Sequence, residues 1–205
     1  MAPRRTTDGR SVKSDRGRGR DAAVDAHDRR KDYLTATVIA ALLDAAKAGR
    51  HGARDHLPMV VMDRHGLRVS KAVDLRRAEI GLDRSRLGVR RLKGGRSVER
   101  PVAGDELRAI KRHLAARSDA LPWLFVSERD QPLTRQSVNH LVTMAASRAG
   151  LSPAHPHMLR HSCGCALANK GYDRRLIQVY LGHCDPRHTV HYTRTAGVRF
   201  EGLWR

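Results

Sequence analysis

The sequence contains few cysteines and no long apolar segment. Its three cysteines, Cys163, Cys165 and Cys184, are an odd number in a chain without a secretory signal, which favours reduced thiols over a disulfide framework. The Cys-x-Cys spacing differs from the Cys-x2-Cys spacing of zinc knuckles, so we expect small helix-packing residues rather than metal ligands. No run of about 18 apolar residues is present, and we therefore expect no membrane-spanning helix.

Acidic residues are too few to balance the basic ones. Lys and Arg number 40 against 21 Asp and Glu, which gives a formal charge of +19 at pH 7. Residues 1–31 hold ten of the basic and five of the acidic residues, so they carry +5 and the rest of the chain carries +14. The globular part is itself basic, which indicates a polyanionic partner, DNA or RNA before a membrane surface. We expect a cytoplasmic protein associated with the nucleoid.

Large apolar residues are nearly absent from residues 1–31, which are rich in Arg, Gly, Asp and Ser. Such a segment cannot offset the entropy cost of ordering, and we expect a flexible basic arm. Residues 32–205 contain enough apolar residues for one core. Their periodicity predicts an α+β domain that is mainly helical and carries a small antiparallel sheet.

Capping residues and apolar periodicity predict six helices in this domain. They lie between Thr35 and Gly49, from Leu57 to His65, from Asp105 through Leu114, between Thr134 and Gly150, from His157 to Gly171, and from Leu176 to Tyr180. Two strands, residues 87–92 and 98–102, are predicted to form a hairpin across Gly94 and Gly95. Lys93 stands at the mouth of that turn.

The pattern His-x-x-Arg-His at residues 157–161 is the most informative feature of the sequence. On a helix, His157, Arg160 and His161 stand at i, i+3 and i+4 and project from one face, which can present a proton carrier and a fixed cation to one phosphate. Six of the twelve histidines lie between residues 155 and 191, so a polar stripe on a basic protein is the alternative interpretation. The Leu-Gly-His that ends at His183, and Tyr192 nine residues later, favour the phosphate site.

Carboxylate clusters are missing from the sequence around this motif. Attack on a phosphodiester requires an in-line nucleophile, neutralisation of charge on the non-bridging oxygens and a proton for the departing oxygen. Many nucleases use metals held by carboxylates, but acids such as Asp74, Glu79 and Asp83 are scattered among bases. Arginine forks, with Arg160 as one candidate, must then meet the charge. We expect no metal ion and no other cofactor.

At these positions the sequence resembles the tyrosine recombinases, or phage-integrase family, and among them the small fimbrial phase-variation invertases. The resemblance extends from about residue 34 to residue 204. The matching elements, in chain order, are Arg68 in His-Gly-Leu-Arg-Val-Ser, Lys93 in Arg-Arg-Leu-Lys-Gly-Gly, His157 and Arg160 in His-x-x-Arg, His183 in Leu-Gly-His, and Tyr192 in His-Thr-Val-His-Tyr. The resemblance implies a tyrosine-recombinase catalytic domain that cuts and rejoins DNA site-specifically.

The resemblance also implies a role for each of these residues. Tyr192 attacks the scissile phosphate and leaves a 3′-phosphotyrosyl link and a free 5′-hydroxyl, so that no ATP is needed. Arg68 and Arg160 clamp the non-bridging oxygens, and Lys93 protonates the departing 5′-oxygen. His157 takes the tyrosine proton or holds it in a hydrogen bond.

A role or a position is also expected for two more histidines and two more tyrosines. By the resemblance His183 steadies the phosphate, whereas we expect His161 to be structural. Tyr180 lies in an apolar pattern and is expected in the core, and Tyr172 follows a helix end and is expected to be exposed. The family implies inversion, integration or excision of double-stranded DNA with inverted-repeat sites, carried out by a homo-tetramer with accessory DNA-bending proteins as further partners.

Two departures from the family pattern leave alternatives open. Lys71 stands three positions after Arg68, where the family usually has an acidic residue that braces the site. Residues 1–33 are too short for the separate helical core-binding domain that many relatives carry. These departures motivate an alternative, a catalytically weakened DNA-binding regulator on a recombinase fold, although the intact nucleophile and cationic residues favour the enzyme. A nonspecific nucleoid-coating protein would explain the charge but not the ordered motifs.

Overall fold

The computed structural model describes residues 33–89 and 98–182, together with Thr189 and Tyr192. The chain divides into two units, Met1–Lys31 and Asp32–Arg205, and all the described residues belong to the second. The predicted flexible arm therefore lies outside them. The second unit is mainly helical with a small antiparallel sheet, which confirms the α+β fold class. None of its described helices is long and apolar enough to span a membrane.

Seven α-helices, one short 3₁₀ helix (Arg77–Glu79) and three strands are present in the described part of the chain. The helices are α1 (Ala36–Lys47), α2 (Gly52–His65), α3 (Val69–Val73), α4 (Gly104–Ala115), α5 (Arg135–Arg148), α6 (Pro156–Asn169) and α7 (Arg174–Leu181). The strands are β1 (Ile80–Gly81), β2 (Arg86–Val89) and β3 (Val98–Pro101). The six predicted helices correspond to all of these helices except α3. Both α3 and β1 are too short to produce an apolar period, and the sequence did not predict them.

The helix ends follow local capping chemistry. The Thr35 hydroxyl accepts a hydrogen bond from the Val38 N–H at the start of α1, and the Thr134 hydroxyl accepts one from the Ser137 N–H, at 3.0 Å, at the start of α5. Gly66 ends α2 with a φ of +56°, a left-handed conformation that residues with a side chain rarely adopt. These three predicted boundaries are confirmed.

The sheet is an antiparallel meander in the order β1-β2-β3. In the β2-β3 pair Arg86 lies opposite Pro101 and Val89 lies opposite Val98, so the strands of the predicted hairpin are paired as expected. Residues 90–97, which include Lys93 and the two turn glycines, lie outside the described residues.

The main core surrounds α2, which packs against α1, α4 and α6. Leu57 and Met62 of α2, Leu42 of α1 and Leu159 of α6 are fully buried there. Burial of a side chain of this size stabilises the fold by about 1.5–3 kcal/mol. Because α2 is held on three sides, its C-terminal end is held in place, and the chain leaves that end toward Arg68.

A second, smaller cluster joins α6 to α7. It contains Cys163, Cys165 and Ala168 from α6, Ile177 and Leu181 from α7, and Tyr192. Both cysteines are free and buried, which confirms their predicted role as packing residues, while Cys184 lies outside the described residues. Burial raises the pKa of the Cys163 thiol to about 12, so the reactive thiolate is scarce at neutral pH.

Candidate active site

Helix α6 carries two of the residues expected in the site, His157 and Arg160, together with His161. Its first residue is Pro156, a position where the missing proline N–H leaves no helix hydrogen bond unmade. The rings of His157 and His161 lie 4.3 Å apart in an edge-to-face arrangement, as their i, i+4 spacing predicts. Arg160, by contrast, points into the fold and is only 3% exposed. The helix therefore presents two histidine rings while its arginine is embedded.

The Arg160 guanidinium binds the ends of two other helices. It donates hydrogen bonds to the carbonyl of Gly66, which ends α2, and, at 2.8 Å, to the carbonyl of Leu181, the last residue of α7. Carbonyls at a helix end have no partner within their own helix, so a buried fork of donors satisfies both. Arg68 follows the first carbonyl by two residues and His183 follows the second by two. Arg160 thus holds the ends of α2 and α7 in place, and each of these ends lies two residues before an expected site residue.

Arg68 is exposed and precedes α3 in extended backbone conformation, with φ −67° and ψ 147°. The pKa of Arg160 is lowered to about 10, mainly by burial of its guanidinium and next by the positive charge of Arg68. Arg160 therefore remains cationic at neutral pH. Lys71 lies in the last turn of α3 and is partly buried. Arg68 and Arg160 thus bring two cations into one region of the fold, and Lys71 follows Arg68 by three residues.

Tyr192 is 2% exposed, and its hydroxyl oxygen lies 3.1 Å from Nδ1 of His161. The two rings are 5.6 Å apart. Burial raises the pKa of Tyr192 to about 12, although the charge of Arg160 and, more weakly, that of Arg68 act in the opposite direction. The tyrosine is consequently protonated at neutral pH and needs a proton acceptor if it is to act as a nucleophile. A neutral His161 with its proton on Nε2 offers that acceptor at Nδ1.

The last turn of α2 is bound from several elements at once. The Tyr180 hydroxyl donates to the Arg64 carbonyl at 2.9 Å, and Arg100 of β3 donates to the carbonyls of His65 and Tyr180. The Arg100 guanidinium also lies 4.4 Å from the centre of the Tyr180 ring. Strand β3 is thereby tied to the helix end that precedes Arg68. Tyr180, predicted in the core, is half-buried and packs against the smaller cluster from outside, whereas Tyr172 is exposed as predicted.

Ionic contacts surround the other side of this helix end. Arg64 forms a two-pronged pair with Asp105 at 2.7 and 2.5 Å, and His65 Nε2 lies 2.9 Å from a buried Glu106 oxygen. Burial raises the pKa of Asp63 to about 6, with Arg64 opposing the shift and Glu106 adding to it. Among the described residues no group of three or more His, Cys, Asp or Glu side chains is placed to hold a metal ion.

The structure thus brings together four of the six residues expected in the site: Arg68, His157, Arg160 and Tyr192. Lys93 and His183 lie outside the described residues. Two further residues contribute that sequence reasoning did not select. His161, expected to be structural, is the histidine at the Tyr192 hydroxyl, and only its place beside His157 could have indicated this. Arg100 carries no sequence signal, since its partners are backbone carbonyls distant along the chain.

Comparisons with known proteins agree with this geometry. Residues 32–197 match the model of the phage integrase family. The chain is 42% identical over 184 residues to the type 1 fimbriae regulatory protein FimB of Escherichia coli K12, covering 87% of this chain and 92% of FimB. It is 40% identical to FimE of the same strain, covering 85% of this chain and 91% of FimE. Tyrosine recombinase XerD of Ralstonia nicotianae is 35% identical over 74% of this chain and 52% of its own length.

Solved structures give the same fold. The crystal structure of XerA recombinase superposes with a TM-score of 0.70 at 26% identity and covers 78% of this chain and 58% of that one. XerH recombinase, in a post-cleavage complex with a palindromic difH substrate, superposes with a TM-score of 0.73 at 22% identity, covering 87% and 54%.

The domain is mainly helical, and a buried arginine, two histidines and a buried tyrosine meet on one of its helices. It is the catalytic domain of a tyrosine recombinase. The chain belongs to the phage integrase family. Its identity to FimB and FimE over most of their length places it with the fimbrial invertase type, which confirms the resemblance drawn from the motifs. It is a tyrosine site-specific recombinase, an enzyme of DNA strand cleavage and rejoining.

Proposed function

We propose that this recombinase uses Tyr192 as its nucleophile and inverts, integrates or excises DNA between inverted-repeat sites. The observation that carries the assignment is the Tyr192 hydroxyl at 3.1 Å from a histidine, within the electrostatic influence of two arginines. Of the four tyrosines, this one alone completes the family's motif order.

In the cleavage step the Tyr192 oxygen forms a bond to phosphorus as the bond from phosphorus to the 5′-oxygen breaks. The phenol proton passes to the histidine pair of α6, where His161 Nδ1 is the near acceptor and His157 adjoins it. The departing 5′-oxygen takes a proton from Lys93, a role that rests on the family resemblance. The phosphodiester energy stays in the 3′-phosphotyrosyl bond, so the reverse attack by a 5′-hydroxyl rejoins DNA without ATP.

The arginines neutralise the phosphate. A guanidinium carries five N–H donors, so the two bonds from Arg160 to carbonyls leave donors for a non-bridging oxygen. Arg68 is exposed and can reach the DNA backbone from the neighbouring element. His183 steadies the same phosphate. Removal of one such preorganised donor typically lowers the rate on the order of 10²–10³-fold.

The assembly we propose is a tetramer on two DNA sites, because paired strand exchanges through a Holliday junction need four nucleophiles. XerH, which shares the fold, is a site-specific recombinase whose substrate in the solved complex is palindromic. Accessory DNA-bending proteins would bring the two sites together. The formal charge of +14 outside residues 1–31 gives the catalytic domain its own attraction for DNA, and we place the enzyme at the nucleoid in the cytoplasm.

The test is covalent trapping on nicked suicide DNA. Purified protein should form an adduct in the presence of EDTA, and Tyr192→Phe should bind the same DNA without forming one. Tyr172→Phe, which changes an exposed tyrosine, is the matched control and should trap DNA normally. An adduct that survives Tyr192→Phe, or one that requires added Mg²⁺, would refute the proposed chemistry.

The second candidate function is a DNA-binding regulator with weakened catalysis, and Lys71 is the observation that favours it. This lysine places a cation three residues after Arg68, where the family pattern has an acidic residue that braces the site. If the wild-type protein binds its DNA site but traps none of it, this candidate is preferred.

A further inference from the structure

The ring of Tyr192 lies directly on the backbone of α6 at Gly164. A Cβ built on Gly164 would stand 2.7 Å from Cζ, 2.8 Å from Cε1 and 2.9 Å from Cδ1 of the tyrosine. Carbon atoms in contact prefer separations of about 3.5–4.0 Å, so a single methyl group would displace the ring by about 0.8 Å or more. Glycine is therefore the only residue that permits this approach of ring and helix.

Gly164 and His161 are three residues apart in α6 and thus lie on one side of it. The ring edge rests on Gly164 while the hydroxyl at the end of that ring reaches His161 Nδ1 at 3.1 Å. We call these two residues the Tyr192 contact surface. The position of the hydroxyl is fixed by both contacts together, because a ring displaced from Gly164 carries its hydroxyl away from the histidine.

Glycine has no intrinsic reason to stand in the middle of this helix. It is among the poorest helix formers, and alanine at the same place would favour the helix. Gly104, in the first turn of α4, provides the contrast, because a Cβ there would meet only the end of the Arg108 side chain, at 3.5 Å. The glycine at position 164 is accounted for by the tyrosine and not by the helix.

We propose that Gly164 is a positioning residue for the nucleophile, holding the Tyr192 hydroxyl where its proton can pass to His161 Nδ1. The inference rests on the proposed use of Tyr192 in cleavage and adds two residues that the family motif does not assign. Tyr192 is the nucleophile, Gly164 gives its ring a place on α6, and His161 orients its hydroxyl and accepts its proton.

The principal experiment compares Gly164→Ala with wild type in single-turnover adduct formation on nicked suicide DNA at saturating protein. The rate should fall about 10–100-fold, as expected for a nucleophile misplaced by about 1 Å, while noncovalent DNA affinity stays the same. Gly104→Ala, an equal substitution in another helix, should cleave at the wild-type rate. An unchanged or faster rate in Gly164→Ala would overturn the proposal.

A second measurement does not depend on activity. Nitration of Tyr192 by tetranitromethane, followed by peptide mass spectrometry, should be faster in Gly164→Ala than in wild type because the ring is no longer held in a buried place. Equal nitration rates would contradict the contact surface even if wild type formed no adduct at all. The absence of a wild-type adduct would instead count against the proposed function alone.

A pair of substitutions at His161 covers the outcome in which Gly164→Ala does not fold. His161→Ala should lose at least as much of the adduct rate as Gly164→Ala. His161→Asn keeps a hydrogen-bonding atom near the place of Nδ1 but is not a base, so it should recover only the part of that loss that comes from the orientation of the hydroxyl. In the double variant the two losses should not add, because both act through one hydrogen bond. Full activity of His161→Ala would refute the role of this histidine.

Discussion

The clearest consequence of the buried arginine is that Arg160 and Arg68 should respond differently to the same substitution. Arg160→Lys replaces a planar fork of five donors by one ammonium, which cannot reach both the Gly66 and the Leu181 carbonyls from the same place. Arg68→Lys removes the same fork from an exposed side chain, which forms no hydrogen bond or ion pair with the other described residues. Both changes keep the charge.

The contacts of Arg160 give the size of the expected change in the free energy of unfolding. A hydrogen bond to a charged group contributes about 1.5–3 kcal/mol, and a buried carbonyl left without a partner costs about 1–3 kcal/mol. Arg160→Lys should therefore lower the free energy of unfolding by about 1.5–3 kcal/mol. For a domain of this size about 1 kcal/mol corresponds to 2–4 °C, so the Tm should fall by about 3–12 °C. Arg68→Lys should stay within about 0.5 kcal/mol of wild type.

Urea unfolding measures this directly, since a lower midpoint at an unchanged slope reports stability alone. Suicide-DNA trapping below the lowest Tm then measures cleavage, which should fall on the order of 10²–10³-fold in both variants. Wild-type stability in Arg160→Lys, or an equal loss of stability in Arg68→Lys, would show that the buried arginine does not hold the two helix ends together.

Three further predictions concern charge. Removal of residues 1–31 takes away +5 of formal charge and should weaken DNA binding and flatten its salt dependence, measured by anisotropy, while preference for the specific site remains. Lys71→Glu should change the trapping rate only within about tenfold, or ~1.4 kcal/mol, because a long partly buried lysine can extend its ammonium to solvent. Asp63→Asn should raise the Tm at pH 8 more than at pH 5. The folded-state pKa of Asp63 is raised to about 6, so its ionised form destabilises the fold above that pH and the penalty disappears as the carboxyl is protonated.

Each of these predictions has a contrary result. Loss of all site preference on removal of residues 1–31 would make that segment a recognition element. A rise of several orders of magnitude in trapping by Lys71→Glu would show that the natural lysine holds the site inactive and would favour the regulator. An Asp63→Asn variant whose Tm gain is the same at both pH values would mean that the carboxyl is not titrating between them.

Local signals in the sequence predicted local structure well. Thr35 and Thr134 predict the starts of helices because the hydroxyl of a capping residue accepts a hydrogen bond from one of the first free N–H groups of the same helix. The i, i+4 spacing of His157 and His161 predicts their ring contact for the same reason, since both residues belong to one helix. These features need no knowledge of the tertiary fold.

Features that depend on where distant segments meet were not predictable. Whether His157 or His161 faces the tyrosine depends on where Tyr192, 31 residues beyond His161, returns to α6. The inward direction of Arg160 depends on two helix ends, one of them 94 residues away. Arg100 binds a carbonyl 80 residues further along the chain, so no spacing rule identifies it.

If Arg160 clamps the phosphate as proposed, in addition to binding two helix ends, this double use decides the order in which such a protein can lose its activity during evolution. A lineage that keeps only DNA binding can exchange Tyr192 for phenylalanine and keep the ring packed on α6, at the cost of one hydroxyl. It cannot discard Arg160 without leaving two helix ends unbound. An intact buried arginine is therefore weak evidence of catalysis in a protein that descends from this one. Retention of the tyrosine hydroxyl is the better indicator of an active enzyme.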